Sequence, residues 1–476
     1  MPVTRRHLLS TSASLAGLAA LEPLAARLGL AQTSAPLTPA QQAAAGAHIP
    51  VPPELPPDTT PPVPPATPAA RALQAAVGVA AFDQVQTRMR TVNADLVAHG
   101  LRHIPAVPGT FLTGYPYNEF YDWDLYFENL YLSYFGVAPY CFTNLKEFLN
   151  REQPDGYVNR SLIKQRDRQQ FKPFLAQLAV LGSRQEGNNF EWLRGNYYDR
   201  LCKYLVKWFS YDGDHNGLPT WNSADAAGTD NQWSRGGKLS SFEIEGTDLA
   251  SYLVRELRAM AVIAGALGLK ADATDFTQHA DHVNQLINTT FWDEKRGMYF
   301  DRNEKTGQQV NVLSATSFTP LFCGAPTHAM AQRMVHEHLL NPAEFWLTYP
   351  VASYAKTEPD YYQGSHKECN WRGPTWAPTN YMIFQGLQRY GFHKEARALA
   401  TKLFDMAVLK NPVLREYYNA ETGEGLGQTR FWGFTALYYG MLLESELNYD
   451  ASSLDKPILP IVPRYLGVQF PTISNV

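Results

Sequence analysis

The feature that most restricts the fold is a succession of amphipathic helix patterns from about residue 70 almost to the C-terminus. The clearest pattern is TDLASYLVRELRAMAVIAGALGLKA at 247–271, where apolar residues recur every three or four positions. This spacing gives a helix one wide apolar face. Thr247 or Asp248 can cap the start of the helix and Gly268 can end it. Each such helix must bury its apolar face against a neighbour.

Eleven further segments show the same spacing, so the chain is predicted to contain about twelve helices in consecutive pairs. The clearer segments are 191–209, 273–292, 328–340, 393–409 and 434–447, and the weaker ones are 70–99, 124–135, 137–150, 171–182, 314–323 and 374–390. Strand-like alternation is confined to short pieces such as GMYFDR at 297–302. The pattern therefore predicts an all-α domain.

Twelve paired helices in one domain of about 400 residues predict an (α/α)6 barrel, with short β-hairpins only in its loops. In this fold six helical hairpins form a toroid whose inner helices surround a funnel. An α-solenoid or two helical bundles are the alternatives. A solenoid requires a sequence repeat of fixed period, and the chain has none. The loops between hairpins are long and rich in Gly, Trp, Asp and Asn, and in a toroid such loops converge at one mouth.

The N-terminal region has the composition of an export signal followed by a linker. Arg5 and Arg6 precede an Ala- and Leu-rich stretch, which resembles a twin-arginine signal. Gly29 and Ala31 occupy positions −3 and −1 of a cleavage site after Ala31. We therefore expect export to the periplasm or the medium and no membrane span after the signal is removed.

The domain boundaries follow from composition. We expect a signal peptide at 1–31, a linker at 32–70 and the helical domain at 71–476. Repeated prolines between the signal and the helical domain favour extended polyproline II structure, which forms a stiff tether without a core.

Charge and cysteine content exclude several classes of protein. The net charge is −4 and no basic stripe is present, so nucleic acid is not an expected partner. The four cysteines are Cys141, Cys202, Cys323 and Cys369, and no two of them form a C-x-x-C pair. A core this large needs no covalent cross-links, so we expect four free, mostly buried thiols, with up to two disulfides as the alternative.

The sequence predicts no cofactor and no metal. His336 and His338 are two positions apart on a helix and point to different faces. The loop at 212–217 begins like a calcium loop, but its twelfth position would be Ser223 rather than Glu. An Asx-rich turn is the preferred interpretation, and the question whether this loop binds a calcium ion stays open. The chain contains neither a Gly-rich phosphate loop nor a G-x-S-x-G motif.

Four loop segments combine carboxylates, or an arginine, with aromatic residues. They are NEFYDWDLYF at 118–127, GLPTWNSADAAGTDNQWS at 217–234, NWRGPTWAP at 370–378 and REYYNAETGEG at 415–425. Aromatic side chains at 13% of the chain belong mostly to the core, but their ring faces can also stack on sugars. Each segment alone is weak, because an acid near aromatic residues is more often a surface or capping residue.

Together and in this order, the four segments resemble the (α/α)6 glycosidases of glycoside hydrolase families 63 and 37. These families include α-glucosidases, mannosylglycerate or glucosylglycerate hydrolases and trehalases. FYDWDLYF resembles their FYYWDSYF-type signature, and WRGPTWAPTNY is similar to the family 63 motif WRGPxWxxxNY. GTDNQWS and REYYNAETGEG resemble the segments that carry the catalytic acid and the catalytic base. The resemblance covers roughly residues 110 to 440.

The resemblance implies that Asp230 is the general acid and Glu416 the general base of an inverting hydrolase. The acid must stay protonated near neutral pH, which an apolar wall favours, and Trp221 or Trp233 is a candidate for that wall. The base must be ionised and hold a water on the opposite face of the sugar. Inversion requires room for this water, so we expect the two carboxyl groups to lie about 6.5 to 9.5 Å apart.

The same comparison implies a set of substrate-binding residues. Trp123, Asp124 and Trp376 are expected to bind or stack on the first sugar, and Arg372 is expected to bind hydroxyls or to orient Glu416. Lys172 is expected to bind an acidic aglycone such as glycerate, or to point to solvent. The full set of substrate-binding candidates is Tyr121, Trp123, Asp124, Asn159, Arg160, Lys172, Trp221, Trp233, Arg372, Trp376 and Trp432.

Two trehalase features, a PESY-like stretch and GFGWTNG, are absent from the sequence, so it fits family 63 better than family 37. The preferred hypothesis is an exported inverting glycosidase that removes a glucosyl or mannosyl unit from the non-reducing end of a short α-glycoside. The alternatives are a trehalase, a catalytically silent sugar-binding or envelope protein, and a polysaccharide lyase. Neither the sugar nor the oligomeric state can be predicted from the sequence.

Overall fold

The computed structural model describes residues 55–104, 107–164, 169–235, 242–366 and 369–471. The described residues contain fifteen α-helices, labelled here in chain order. They are α1 (Pro68–Val77), α2 (Val79–Gly100), α3 (Asp122–Ser133), α4 (Pro139–Asn150), α5 (Leu175–Gln185), α6 (Asn196–Phe209), α7 (Ala224–Ala227), α8 (Thr247–Ala266), α9 (Lys270–Thr290), α10 (Thr319–Cys323), α11 (His328–Arg333), α12 (Ala377–Arg389), α13 (His393–Phe404), α14 (Leu437–Leu447) and α15 (Ile461–Leu466).

Six of these helices form a closed inner ring. In order around the ring they are α3, α5, α8, α10, α12 and α14; each contacts the next, and α14 contacts α3. Six other helices alternate with them along the chain, namely α2, α4, α6, α9, α11 and α13. Closure of the ring distinguishes this arrangement from a solenoid and confirms the predicted (α/α)6 barrel.

The sequences of the two layers explain their positions. Every side chain of α3 is buried, and its sequence DWDLYFENLYLS carries apolar residues on all sides. A helix with this composition can only lie inside a core. By contrast, α9 buries Phe276, Ala280, Val283 and Ile287, which recur every three or four positions, and exposes much of its other face. An apolar stripe of this kind suits a helix on the outside of the barrel.

The strands are short and lie in the loops. They are β1 (Leu101–Arg102), β2 (Phe111–Leu112), β3 (Thr220–Trp221), β4 (Ile244–Glu245), β5 (Trp292–Asp293), β6 (Met298–Tyr299), β7 (Arg302–Asn303), β8 (Arg415–Tyr418) and β9 (Gly425–Thr429). They pair antiparallel as β1–β2, β3–β4–β7, β5–β6 and β8–β9. The β8–β9 hairpin has a register shift between Arg415 and Tyr417, so Glu416 sits at a bulge. Bulges of this kind re-aim a side chain and recur beside active sites.

Several predicted helical segments differ in detail from the structure, and those at 191–209 and 434–447 begin with the 3-10 turns Glu191–Leu193 and Phe434–Ala436. The segment predicted at 70–99 is divided by Gly78, whose φ of +88° suits glycine and separates α1 from α2. The segment predicted at 314–323 begins with the 3-10 turn Ala315–Phe318 before α10. The helix α15 was not predicted, because it is short and begins directly after Pro460.

The predicted signal peptide at 1–31 and the linker up to residue 54 lie outside the described residues. Between residues 55 and 67 the described linker forms no helix or strand, but it contacts α2. The backbone of Val63 exchanges two hydrogen bonds with the Gln86 amide, at 2.7 and 2.8 Å. This end of the linker is therefore attached to the barrel rather than a free tether. The domain boundary itself stays a prediction, and α1 begins within the predicted linker, at Pro68.

The prediction of four free thiols is confirmed. Cys141, Cys202 and Cys323 are buried, and Cys369 is half-buried. Within the part of the chain that the structure describes, no helix is both long and apolar enough to span a membrane.

Candidate active site

A cavity of about 170 Å³ opens at the end of the barrel where inner helices begin. Tyr121 directly precedes α3, Trp376 directly precedes α12, and Phe434 lies just before α14. The residues that line the cavity are Tyr117, Tyr121, Trp123, Asp124, Arg160, Asp225, Gly228, Asp230, Cys369, Trp371, Trp376, Glu416, Phe431 and Phe434. Seven of the predicted site residues are among them, including both predicted catalytic acids.

The segment GTDNQWS holds Asp230 in the cavity wall by anchoring the residues on both sides of it. Gly228 ends α7 with a left-handed φ of +78°. A Cβ at this position would lie 2.9 Å from the Lys172 side chain and 3.0 Å from the Trp123 ring, so the close approach requires glycine. On the other side, the Asn231 carboxamide oxygen accepts the Trp371 N–H at 2.8 Å, and the Gln232 carboxamide donates to the Trp371 carbonyl at 2.7 Å.

Burial holds the pKa of the Asp230 carboxyl well above its ordinary value. A hydrogen bond shared with the Asp225 carboxyl raises this pKa further, and the Arg160 guanidinium opposes the rise. A neutral carboxyl in such surroundings can donate a proton at neutral pH. The predicted apolar wall of Trp221 or Trp233 is not part of the cavity lining.

Glu416 lies in the cavity lining on β8 and accepts hydrogen bonds from two donors. Its Oε2 accepts the Gln428 N–H at 3.0 Å, and its Oε1 accepts the Cys369 S–H at 3.3 Å. Burial raises the pKa of Glu416, while these two donors lower it. Donors stabilise the ionised form of a carboxylate. The net effect is a raised pKa for Glu416, but its hydrogen-bond partners are donors that stabilise a carboxylate, whereas Asp230 shares its hydrogen bond with another carboxyl.

Stacked aromatic rings form one wall of the cavity. The rings of Trp371 and Trp376 stack with centroids 3.9 Å apart and planes 10° apart. Tyr417 stacks on the outer face of Trp376 at 4.5 Å, and Trp123 lies 5.8 Å from Trp371. Because Trp371 and Tyr417 cover the two faces of Trp376, neither face of Trp376 is free to stack on a sugar, which corrects that expectation. The stack instead gives the cavity an apolar wall, a surface suited to the apolar faces of sugar rings.

A family model described as the mannosylglycerate hydrolase MGH1-like glycoside hydrolase domain matches residues 117–433. The chain belongs to this family. The match includes Asp230, Glu416 and all of the cavity residues except Phe434.

Relatives and solved structures agree with this assignment. The mannosylglycerate hydrolase of Rubrobacter radiotolerans is 30% identical over 198 residues, which is 41% of this chain and 42% of that protein. The chain thus matches less than half the length of this relative. The GH63 mannosylglycerate hydrolase of Thermus thermophilus, solved with Tris and D-glycerate, has a TM-score of 0.60 at 18% identity and covers 74% of this chain and 99% of its own. The neutral trehalase Nth1 of Saccharomyces cerevisiae has a TM-score of 0.58 at 18% identity, covering 76% and 80%. These structures show the fold.

In this MGH1-like domain, Asp124 and Asp225 bring the number of carboxyl side chains in the cavity lining to four. Burial and the neighbouring Asp122 carboxylate raise the pKa of Asp124 to about 7, and Lys172 and Arg160 oppose the rise. Asp124 lies in the first turn of α3, beside the half-buried ring of Tyr121. It can therefore donate or accept a hydrogen bond from a sugar hydroxyl near neutral pH.

Lys172 requires a correction. We expected it near an acidic aglycone or in solvent, but it is fully buried and its Nζ bonds Asp122 at 2.9 Å. Its ammonium also lies 4.9 Å from the Trp123 ring centroid. A buried lysine needs a carboxylate partner, and Asp122 supplies it from beneath the cavity. Lys172 supports the cavity floor without lining it.

Trp221 and Trp432 also lie outside the cavity lining. The Trp221 indole N–H donates to Asp248 at 2.9 Å, and its ring packs on Trp208. Trp432 is buried and stacks on His99 at 5.8 Å. Both tryptophans are core residues, which corrects their prediction as substrate-binding residues. The neighbours of Trp432, Phe431 and Phe434, line the cavity in its place.

Three other candidates lie near the cavity but not in its lining. Trp233 is 50% exposed, and the Arg372 guanidinium lies over its ring at 4.3 Å. Among the described residues, Gln428 and Cys369 are the donors to Glu416, so they rather than Arg372 orient that carboxylate. Asn159 accepts the Ser161 N–H at 3.0 Å and stabilises its own loop.

Several cavity residues were not predicted. Five of them, Tyr117, Asp225, Gly228, Cys369 and Trp371, lie in or beside the segments that carry the resemblance, and Phe431 and Phe434 lie six and nine positions after the last segment. Asp225 is the most informative of them, because it is an acid five positions before Asp230 in the same polar loop. Its position three residues before the turn-forming Gly228 was the available signal.

The loop at 212–217 forms the predicted Asx-rich turn, because the Asp212 carboxylate accepts the N–H groups of Asn216 and Gly217 at 3.1 and 2.9 Å. Carboxylate oxygens of Asp212, Asp214 and Glu304 lie within 4.8 Å of one another. Backbone amides and Arg302 already bind these oxygens. The cluster is outside the cavity lining, and no step of the chemistry below involves it.

Proposed function

We propose that this chain is an inverting glycoside hydrolase with Asp230 as general acid and Glu416 as general base. The observation that carries the proposal is that both carboxyl groups line one small cavity beside the stacked Trp371 and Trp376 rings. One carboxyl has an environment that favours its protonated form, and the other is bonded to donors. Two carboxyls with opposite protonation states are what glycoside hydrolysis requires.

The proposed reaction proceeds in one displacement. Asp230 transfers its proton to the glycosidic oxygen as the bond between that oxygen and the anomeric carbon breaks. Glu416 accepts a proton from a water whose oxygen attacks the same carbon from the opposite face of the ring. One proton is given and one is taken, so the net reaction adds water and inverts the configuration. The expected separation of about 6.5 to 9.5 Å between the carboxyl groups stays a prediction.

We further propose a short α-mannoside or α-glucoside as substrate, cleaved from its non-reducing end, with a glycosyl-glycerate as the first compound to test. The printed names of the relatives supply this candidate. Arg372 adds a physical reason, because among the described residues its Nε has no hydrogen-bond partner and its guanidinium is adjacent in sequence to the cavity residue Trp371. A guanidinium binds a carboxylate through two parallel hydrogen bonds.

A proton NMR time course tests both the reaction and its stereochemistry. The protein is incubated with mannosylglycerate, glucosylglycerate, maltose and trehalose, and the anomeric signal of the first product is recorded before it mutarotates. We expect a β-configured sugar from an α-configured substrate. An α-configured first product contradicts inversion. Absence of turnover, combined with calorimetric binding of a sugar, would favour the silent sugar-binding protein instead.

We also propose export through the twin-arginine route, on the basis of Arg5 and Arg6. Replacement of both arginines by lysine keeps the positive charge and removes the pair that the export machinery recognises. The variant should accumulate in the cytoplasm, while the unaltered chain should be recovered outside it. Equal distribution of the two chains contradicts this proposal and leaves the enzymatic one unaffected.

A further inference from the structure

The carboxyl of Asp225 lies in the cavity lining and is hydrogen-bonded to the carboxyl of Asp230. The two acids are brought together by a tight turn. Ser223 caps α7, and the Asp225 carbonyl accepts the Gly228 N–H at 3.0 Å. Because Gly228 has a left-handed φ of +78°, the chain reverses and returns Asp230 to the same wall of the cavity.

Two groups hold Asp225 in place, the Gln169 carboxamide and the guanidinium of Arg160, which itself lines the cavity. The Gln169 carboxamide donates to Oδ2 of Asp225 at 2.6 Å. Nη1 of Arg160 lies 3.9 Å from the Asp225 Oδ1 and donates to the Asp225 carbonyl. Donors and a nearby cation stabilise the ionised form of a carboxylate. Asp225 is therefore the better anion of the two, and the shared proton belongs on Asp230.

We propose that Asp225 is a positioning residue that accepts the hydrogen bond of the protonated Asp230 and holds that proton ready for transfer. The inference rests on the proposed function, because it assigns a partner to the general acid of that reaction. It adds a residue that acts through Asp230 rather than on the sugar. It also gives Arg160 the role of holding Asp225, and the expected contact of Arg160 with substrate stays a prediction, since Arg160 lines the cavity.

The direction in which Asp225 changes the pKa of Asp230 follows from its charge. Asp225 raises the pKa of Asp230 through their hydrogen bond and through like-charge repulsion. Without the Asp225 carboxylate, Asp230 loses its proton at a lower pH. The other titratable or charged groups around the pair are Arg160, Asp122, Lys172, Asp124, Cys369 and Glu416. They are unchanged in a variant at Asp225, so the difference between the two proteins isolates this one carboxyl.

The test is the pH dependence of kcat/KM for Asp225→Asn, Asp225→Ala and Asp225→Glu. The alkaline limb should move to lower pH by about one unit in Asp225→Asn, which lowers kcat/KM about tenfold on that limb. Asp225→Ala should shift the alkaline limb in the same direction by less, since alanine introduces no amide donor. Asp225→Glu keeps a carboxylate and should leave the alkaline limb close to its wild-type pH. The acidic limb should not move. Asp281→Asn, which alters an exposed aspartate bonded to Arg258, is the matched control.

A second measurement does not depend on turnover. The side-chain carboxyl of Asp230 is followed by ¹³C NMR in the full chain, and its signal is assigned by its loss in Asp230→Asn. Its titration midpoint should fall in Asp225→Asn. If the wild-type chain hydrolyses glycosides but neither the limb nor the midpoint moves, the role of Asp225 is wrong and the proposed function stands. If no glycoside is hydrolysed, the proposed function fails, and the midpoint alone decides whether Asp225 holds the proton.

Discussion

The two predicted catalytic acids occupy opposite kinds of surroundings in one cavity. Asp230 meets another carboxyl, Asp225, and follows a tight turn that ends at Gly228. Glu416 meets two donors, the Gln428 N–H and the Cys369 thiol, on a bulged strand. Burial raises the pKa of both acids, so desolvation alone cannot assign their roles. The contrast teaches that the hydrogen-bond partner of each carboxyl distinguishes an acid from a base.

The largest expected effect comes from removing either carboxyl. Asp230→Asn cannot donate the proton and Glu416→Gln cannot accept one, so each variant should lose about 10²- to 10⁴-fold in kcat. Sugar affinity, measured by calorimetry, should change little, because the stacked tryptophans remain. Asp281→Asn serves as the surface control. If either variant keeps full activity, that residue is not part of the mechanism.

Addition of a single methyl group at Gly427 tests whether the position of the Glu416 carboxylate matters. In Gly427→Ala, the new Cβ would lie 2.5 Å from Oε2 of Glu416, at a backbone φ of +67° that disfavours alanine. Displacement of the carboxylate should lower kcat about tenfold or more. Gly268→Ala is the matched control, since its φ is +77° and nothing lies within 4 Å of its added Cβ.

The control should lose stability by about 1 kcal/mol without a change in kcat. Thermal unfolding and steady-state rates of the two glycine variants separate strain from misplacement of Glu416. Equal loss of kcat in both variants would contradict a specific role for the β8–β9 bulge.

A smaller effect is expected at Cys369, whose thiol is one of the two donors to Glu416. This donor lowers the pKa of Glu416, so Cys369→Ala should raise that pKa and move the acidic limb of kcat/KM to higher pH. Cys369→Ser keeps a donor and should leave the limb in place. The alkaline limb, which reports Asp230, should be the same in both variants. A shift of the alkaline limb alone would show that the two sides of the cavity are not independent.

The barrel, and the presence of Asp230 and Glu416 at one site, could be predicted from the sequence, because helical periodicity and short segments carry local information. The twelve helix patterns predict the ring, and the segments around Asp230 and Glu416 resemble known ones. The partners of buried charges could not be predicted. Lys172 pairs with Asp122, fifty positions away, and nothing in either segment specifies that pairing. Trp221 lies close to Asp230 in sequence, but the antiparallel β3–β4 pairing carries it into the core beside Asp248.

The smallest expected change in kinetics is at Arg372, whose guanidinium lies over the ring of Trp233 in the loop that carries Asp230. If Arg372 binds the carboxylate of a leaving group, Arg372→Ala should raise KM for a glycosyl-glycerate about three- to tenfold, because a charge pair that water still screens contributes about 1 kcal/mol. KM for a neutral α-glucoside such as maltose should not change, and Arg258→Ala provides a control for loss of a surface charge. The ratio of the two KM values therefore isolates recognition of the leaving group from binding of the sugar. An equal rise in KM for both substrates would mean that Arg372 holds Trp233 and the loop of Asp230 in place. Arg372 would then support the general acid and would not select the leaving group.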